Sequence, residues 1–220
     1  MHNPKFISLE QVCTDSAEAA GLSLLNVDVT VSQGTTLVVH GPPNKGKSGF
    51  LLLIAGLIEP GRGGVICNGK EVTGPGPERA LVPQWPALLP WLTAYQNVFL
   101  AVNRAHGRHK SRDELHVDTA IALQRMQLGN VMHTRASRLT QDQQQRVSIA
   151  RALVVRPRVL LLDEPFATLE TATLAWLPAT LEHLIQEHHI TTVVTHNDNP
   201  FPYLHPSQYF EVGAAACQPA

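Results

Sequence analysis

The first forty residues alternate short apolar or β-branched runs with polar, glycine-containing turns, so 6–12, 26–31 and 35–40 read as strands. The third strand feeds a glycine-rich segment. Residues 47–57 then read as a helix, and its continuous apolar run Phe50-Leu51-Leu52-Leu53-Ile54 suits burial under a sheet. Gly61 and Gly64 on one side and Gly69 on the other bound a short strand, 65–68. From 83 to 90 the chain turns proline-rich, and helical patterns follow at 93–102 and 112–128, which reads as a helical insertion. A helix at 141–154 stops before Arg156-Pro157-Arg158, and 159–162 is a fully apolar strand of the kind buried on both faces. Residues 169–188 read as a helix that Pro178 must kink or split. A last core strand, 191–195, leads to His196, and there is no internal repeat or low-complexity tract.

Composition narrows the class. A chain of 220 residues with 44% apolar content can bury one full domain, or a core with a modest subdomain. The net charge of −1 argues against a nucleic-acid partner. Arg104, Arg108, Lys110 and Arg112 cluster with His106 and His109, and this stretch reads as a solvated loop between helices. Cys13, Cys67 and Cys217 are widely spaced and read as reduced cytosolic thiols. The longest apolar run, 50–58, falls well short of the roughly 20 residues of a membrane span. With no secretory pattern at the N-terminus, the expectation is a soluble intracellular chain that can still dock on a membrane protein.

Three motifs carry chemistry, and their order makes them informative. Gly41-Pro42-Pro43-Asn44-Lys45-Gly46-Lys47-Ser48 fits a phosphate-binding loop, a match that average composition produces in roughly one chain of this length in a hundred. Backbone N–H groups and a helix N-terminus would face the anion, with Lys47 neutralising the terminal phosphates and Ser48 ligating Mg²⁺. The competing reading is a Gly/Pro surface turn, but a strand precedes the loop and a helix follows it. At the end of the apolar strand, Asp163 and Glu164 are placed for one carboxylate to orient a metal and the next to polarise an attacking water. An acidic cap on a strand-to-helix turn is the alternative. His196 ends the next strand and is a candidate γ-phosphate contact. Leu139-Thr140-Gln141-Asp142-Gln143-Gln144-Gln145-Arg146 has capping-box spacing and alone describes a well-capped helix.

Taken together, these residues resemble the ATP-binding subunit of an ABC transporter over about 7–212. The resemblance makes 41–48 the Walker A motif, with Gly49 adding a backbone donor, and places Gln84 in the Q-loop as a contact to Mg²⁺ and nucleotide. It aligns 139–146 with the signature Leu-Ser-Gly-Gly-Gln, makes Asp163-Glu164 Walker B, puts Ala167-Thr168-Leu169-Glu170 at the D-loop, and makes His196 the switch histidine. It implies an α/β fold: a P-loop NTPase (RecA-like) core over 1–85 and 155–220 with an antiparallel β subdomain, and an inserted helical subdomain over 86–154. It also implies ATP and Mg²⁺ as ligands and two subunits head to tail, sandwiching ATP between one Walker A and the other signature. Gly69-Lys70-Glu71-Val72-Thr73-Gly74-Pro75-Gly76-Pro77-Glu78-Arg79, then Leu88-Leu89-Pro90-Trp91-Leu92-Thr93 and Gln96-Asn97-Val98, are similar to the nitrate, sulfonate and taurine importer ATPases, especially the nitrate and bicarbonate branch. That branch implies a permease, a periplasmic or extracellular solute-binding protein, and a place at the cytoplasmic face of the bacterial plasma membrane.

Several residues depart from the family pattern. Asn44 replaces a glycine but tolerates a left-handed backbone, whereas Pro43 removes an N–H donor. Gln141 and Asp142 replace two signature glycines, and a carboxylate roughly 4–8 Å from a partner's phosphate would repel it by about 2–4 kcal/mol at an effective dielectric near 20. No aromatic residue lies between Phe6 and Phe50, so the ring expected to stack on adenine is missing, at a cost of roughly 1–3 kcal/mol. Glu170 stands where the D-loop has Asp. The residues for hydrolysis at the chain's own site are present, while the signature lent to a partner is altered. A heterodimer with a more regular ATPase subunit is therefore expected. A poorly hydrolysing regulatory subunit is the alternative; a soluble ABC protein of DNA repair or translation is disfavoured, with no second nucleotide domain, coiled-coil insertion or basic stripe.

Overall fold

The computed structural model describes residues 5–14, 24, 26–197 and 203–212, and in it two sheets pack against one helix. The first sheet is antiparallel, in the order β2 (Val27–Val31), β1 (Ile7–Cys13), β4 (Arg62–Cys67), β5 (Lys70–Glu71). The second is parallel, in the order β6 (Arg79–Val82), β7 (Val159–Asp163), β8 (Thr191–His196), β3 (Thr36–His40), β9 (Gln208–Glu211). Helix α1 (Lys47–Ala55) packs against strands of both sheets. Its Phe50, Leu51, Leu53 and Ile54 are buried, which accounts for an apolar run with no polar face.

Alternation along the parallel strands divides the core. Leu161, Val193, Leu37 and Val39 face α1 and the antiparallel sheet, whereas Leu160, Leu162, Val194 and Val38 face a second cluster. That cluster is built from α2 (Ala94–His106), α3 (Arg112–Arg125), α4 (Gln141–Val154) and α6 (Leu177–Glu187). Thr93, Ser111 and Thr140 each close a reciprocal capping box with the Glu or Gln three residues on, fixing the starts of α2, α3 and α4. The Ser111 N–H and hydroxyl hold the Glu114 carboxyl below its usual range.

The structure amends several sequence expectations. Strand β4 starts at Arg62 rather than 65, and β5, β6 and β9 are additional short strands. Helix α2 runs on to His106, so Arg104 and His106 are helical and Arg112 opens α3; only 107–111 is a connecting loop. The 169–188 segment is split, as Pro178 required, but the break falls between α5 (Thr171–Leu174) and α6, leaving the proline in the first turn of α6, where its missing N–H costs little. Burial pushes the Cys67 thiol up, and Cys217 lies outside the described residues. Leu161 is fully buried between α1 and its neighbouring strands, so Leu161→Ala is expected to lower the unfolding free energy by about 2–5 kcal/mol, measured by urea denaturation.

Candidate active site

Strand register assembles the site. In the parallel sheet His40 pairs with His196 and Asp163 with Thr195, so β3, β7 and β8 end along one edge, and the segments that follow them converge there. After β3 the chain turns at Gly41, where a side-chain carbon would sit 2.7 Å from the Val212 carbonyl oxygen. Asn44 takes φ 60°, the left-handed conformation its side chain tolerates, and Gly46 takes φ 94° at the N-cap of α1. No side chain caps α1 and its first turn holds no acid, so its first N–H groups remain available to an external anion.

Lys47 is 5% exposed, and its ammonium donates to Gly41 O (2.9 Å), Pro42 O (3.0 Å) and Asn197 Oδ1 (2.9 Å). It also lies 3.7 Å from Glu164 Oε1. The other Glu164 oxygen accepts from Gln84 Nε2 and from Asn197 Nδ2, each at 3.2 Å. Glu164 holds φ 43°, an uncommon backbone for a side chain of this size, and its N–H donates to Thr195 Oγ1 at 3.0 Å. The same Thr195 hydroxyl donates to Asp163 Oδ1 at 2.7 Å. Buried Thr195 thus orients the Asp163 carboxylate and fixes the backbone of Glu164. The Asn197 N–H donates to His196 Nδ1 at 2.9 Å, which makes Nδ1 an acceptor and places the proton of a neutral ring on Nε2.

Lys47, Gln84, Asp163, Glu164 and His196 thus lie on one sheet edge with the loop of Gly41, Pro42, Pro43, Asn44, Lys45 and Gly46, while Ser48 and Gly49 form the first turn of α1. Two members of the network had not been singled out from sequence. Thr195 is the last residue of the core strand expected at 191–195, where a β-branched residue needs no chemical role, and Asn197, next to His196, bridges Lys47 and Glu164. The donor set fits nucleotide phosphates held with Mg²⁺. No three His, Cys, Asp or Glu side chains among the described residues gather into a metal cage, and Mg²⁺ is typically held by one or two carboxylates plus phosphate oxygens.

The altered signature differs from its expectation. Asp142 is 4% exposed and turned inward: Oδ2 accepts from Arg146 Nε (2.8 Å) and lies 2.7 Å from a terminal guanidinium nitrogen, while Oδ1 accepts from the Glu170 N–H (3.3 Å). Its charge is neutralised within the chain, so the expected repulsion of a partner's phosphate is largely offset. Gln141 alone is exposed at the head of α4.

Comparison with known proteins follows the same geometry. The family model described as ABC transporter matches residues 24–167. The chain is 40% identical over 194 residues to the nitrate transport protein NasD of Klebsiella oxytoca, covering 87% of this chain and 74% of that protein. It is 44% identical over 178 residues to the nitrate import ATP-binding protein NrtC of Synechocystis sp., covering 80% of this chain but only 26% of that longer protein. The bicarbonate transport ATP-binding protein CmpD of the same organism is 37% identical, with 88% and 69% covered. Among solved structures, the ATP-binding cassette MJ0796, dimeric in a post-hydrolysis state bound to ADP and Pi, superposes with a TM-score of 0.79 at 27% identity, covering 87% and 88% of the two chains. Replacing Lys47 by Ala is expected to weaken ATP binding roughly tenfold or more, whereas Lys45→Ala, on the exposed part of the loop, should change it by less than about threefold; titration with a fluorescent ATP analogue checks both.

Proposed function

The chain belongs to the ABC transporter family, and we propose that it is the ATP-binding and ATP-hydrolysing motor of an importer for small oxyanions of the nitrate, bicarbonate, sulfonate and taurine class. The observation that carries this reading is the meeting of Lys47, Gln84, Glu164 and Asn197 in one hydrogen-bonded network beside the uncapped N-terminus of α1. The names of the relatives, nitrate and bicarbonate transport proteins, support the substrate class. Choice of ion would rest with the permease and the solute-binding protein.

In this mechanism N–H groups of 44–49 cradle the phosphates and Lys47 neutralises them. Ser48, Gln84 and Asp163 would hold Mg²⁺, which would supply charge neutralisation on the phosphate oxygens. Glu164 takes a proton from the water that attacks the γ-phosphorus, the bond to the β-phosphate oxygen breaks, and ADP and phosphate leave. His196 donates from Nε2 to the γ-phosphate. Thr195 and Asn197 keep the carboxylates aimed.

No described helix is long and apolar enough to cross a membrane. In this reading the chain drives a transmembrane permease, which it meets at the cytoplasmic face of the plasma membrane. Trp85 and Trp91, 66% and 65% exposed, flank a proline-bearing segment suited to that contact. Beside it, Arg151 donates to Ala87 O and, with Arg79, Arg104, Arg108 and His109, lines a cavity of about 740 Å³ that suits an acidic permease segment. We take 86–154 as the helical subdomain that moves with this contact. The exposed Gln141 and the missing adenine ring favour pairing with a second, more regular ATPase subunit over a homodimer. They also support the second reading, a chain that binds nucleotide and turns over slowly.

Glu164→Gln is expected to reduce Mg-ATP turnover by roughly 10²–10⁴-fold while leaving ATP affinity nearly unchanged, read by phosphate release beside nucleotide titration. Equal turnover in both proteins removes the proposed base, and brisk turnover by ATP-dependent homodimers of the chain alone removes the proposed pairing.

A further inference from the structure

Three side chains on one face of α4, at i, i+3 and i+4, grip the segment that follows Glu164. Asp142 accepts from the Glu170 N–H at 3.3 Å, Gln145 donates to Pro165 O at 3.4 Å, and the Arg146 guanidinium lies 6.0 Å from the centre of the Trp176 ring. Arg146 also donates to the carbonyls of Met126 (2.9 Å) and Gln127 (3.2 Å), just past the end of α3. Asp142 is the hinge pin of this arrangement, because each of its oxygens is committed to a different body. Oδ2 holds Arg146 and, through it, α3; Oδ1 holds the backbone of residue 170. A carboxylate only 4% exposed persists there because a cation and an amide N–H compensate it. A glycine at this position supplies neither contact.

We propose that Asp142 is a positioning residue that ties the head of α4 to the 165–176 segment, so that the helix end offered to a partner's nucleotide moves with the loop leaving the chain's own Glu164. The inference rests on reading the chain as half of an ATP-sandwiching dimer. In that dimer the substitution at the signature is a strut that couples the two sites, and Asp142 touches no phosphate. The strut makes the carboxylate matter for the turnover step rather than for ATP affinity, since the loop that binds the chain's own nucleotide lies elsewhere.

The test is amide hydrogen exchange of the full chain, compared with Asp142→Gly and Asp142→Asn. Asp142→Gly is expected to speed exchange roughly tenfold or more at Glu170 and its neighbours in 165–176, and at the head of α4, while β7 and α1 keep their protection. Asp142→Asn keeps an acceptor for the Glu170 N–H and should retain most of that protection, which also covers the case in which the glycine variant fails to fold. In the assembled ATPase, Asp142→Gly should lower kcat with KM for ATP changed less than about twofold. Unchanged exchange at 165–176, or faster exchange spread over the whole chain, overturns the proposal. Failure of the wild-type chain to bind ATP sinks the functional reading instead, and the exchange comparison still decides whether the strut exists.

Discussion

The in-register pairing of β3, β7 and β8 is the constraint on which the site depends. Each strand is buried on both faces, so a slip of one residue would exchange the residues facing α1 with those facing the helical cluster. The core therefore fixes the register, and the register fixes which residues leave the sheet at its carboxyl edge. His40 opposite His196, and Asp163 opposite Thr195, are consequences of apolar packing further back along the strands. The chemistry at the edge is positioned by side chains that take no part in it.

At that edge the polar groups are organised by short hydrogen bonds between neighbouring strand ends. Thr195 reaches across from β8 to the Asp163 carboxylate that ends β7 and to the backbone N–H of Glu164 just after it, and Asn197 reaches from the end of β8 to Lys47 and Glu164. The left-handed backbone of Glu164 is the local cost of aiming its carboxylate at Lys47 and Gln84 instead of along the strand. Since phosphoryl transfer depends mainly on placing charges, a preset network of this kind matters more than the intrinsic reactivity of any member.

Most of the fold is legible in sequence because its core strands are either alternating or fully apolar and its helices carry explicit caps. Helix α4 was bounded at both ends by Thr140 and by Arg156-Pro157. What escaped was short or supported from elsewhere: β5 has two residues, β6 four, and β9 exists through its pairing with β3. At the site, the motif residues were readable because phosphate binding demands glycine, lysine and acid at fixed spacings. Thr195 and Asn197 were not, since their roles follow from tertiary pairing. Asp142 had a readable signal in Arg146 four residues on, but its contact with Glu170 lies 28 residues away in sequence and only the fold reveals it.

The most direct test of the account is a structure of the Glu164→Gln chain with Mg-ATP. The account predicts phosphates on the N–H groups of 44–48, the Lys47 ammonium within hydrogen-bond distance of them, and residue 164 facing the γ-phosphate beside His196. Nucleotide bound away from this loop, or a γ-phosphate beyond the reach of residues 47, 164 and 196, would contradict it.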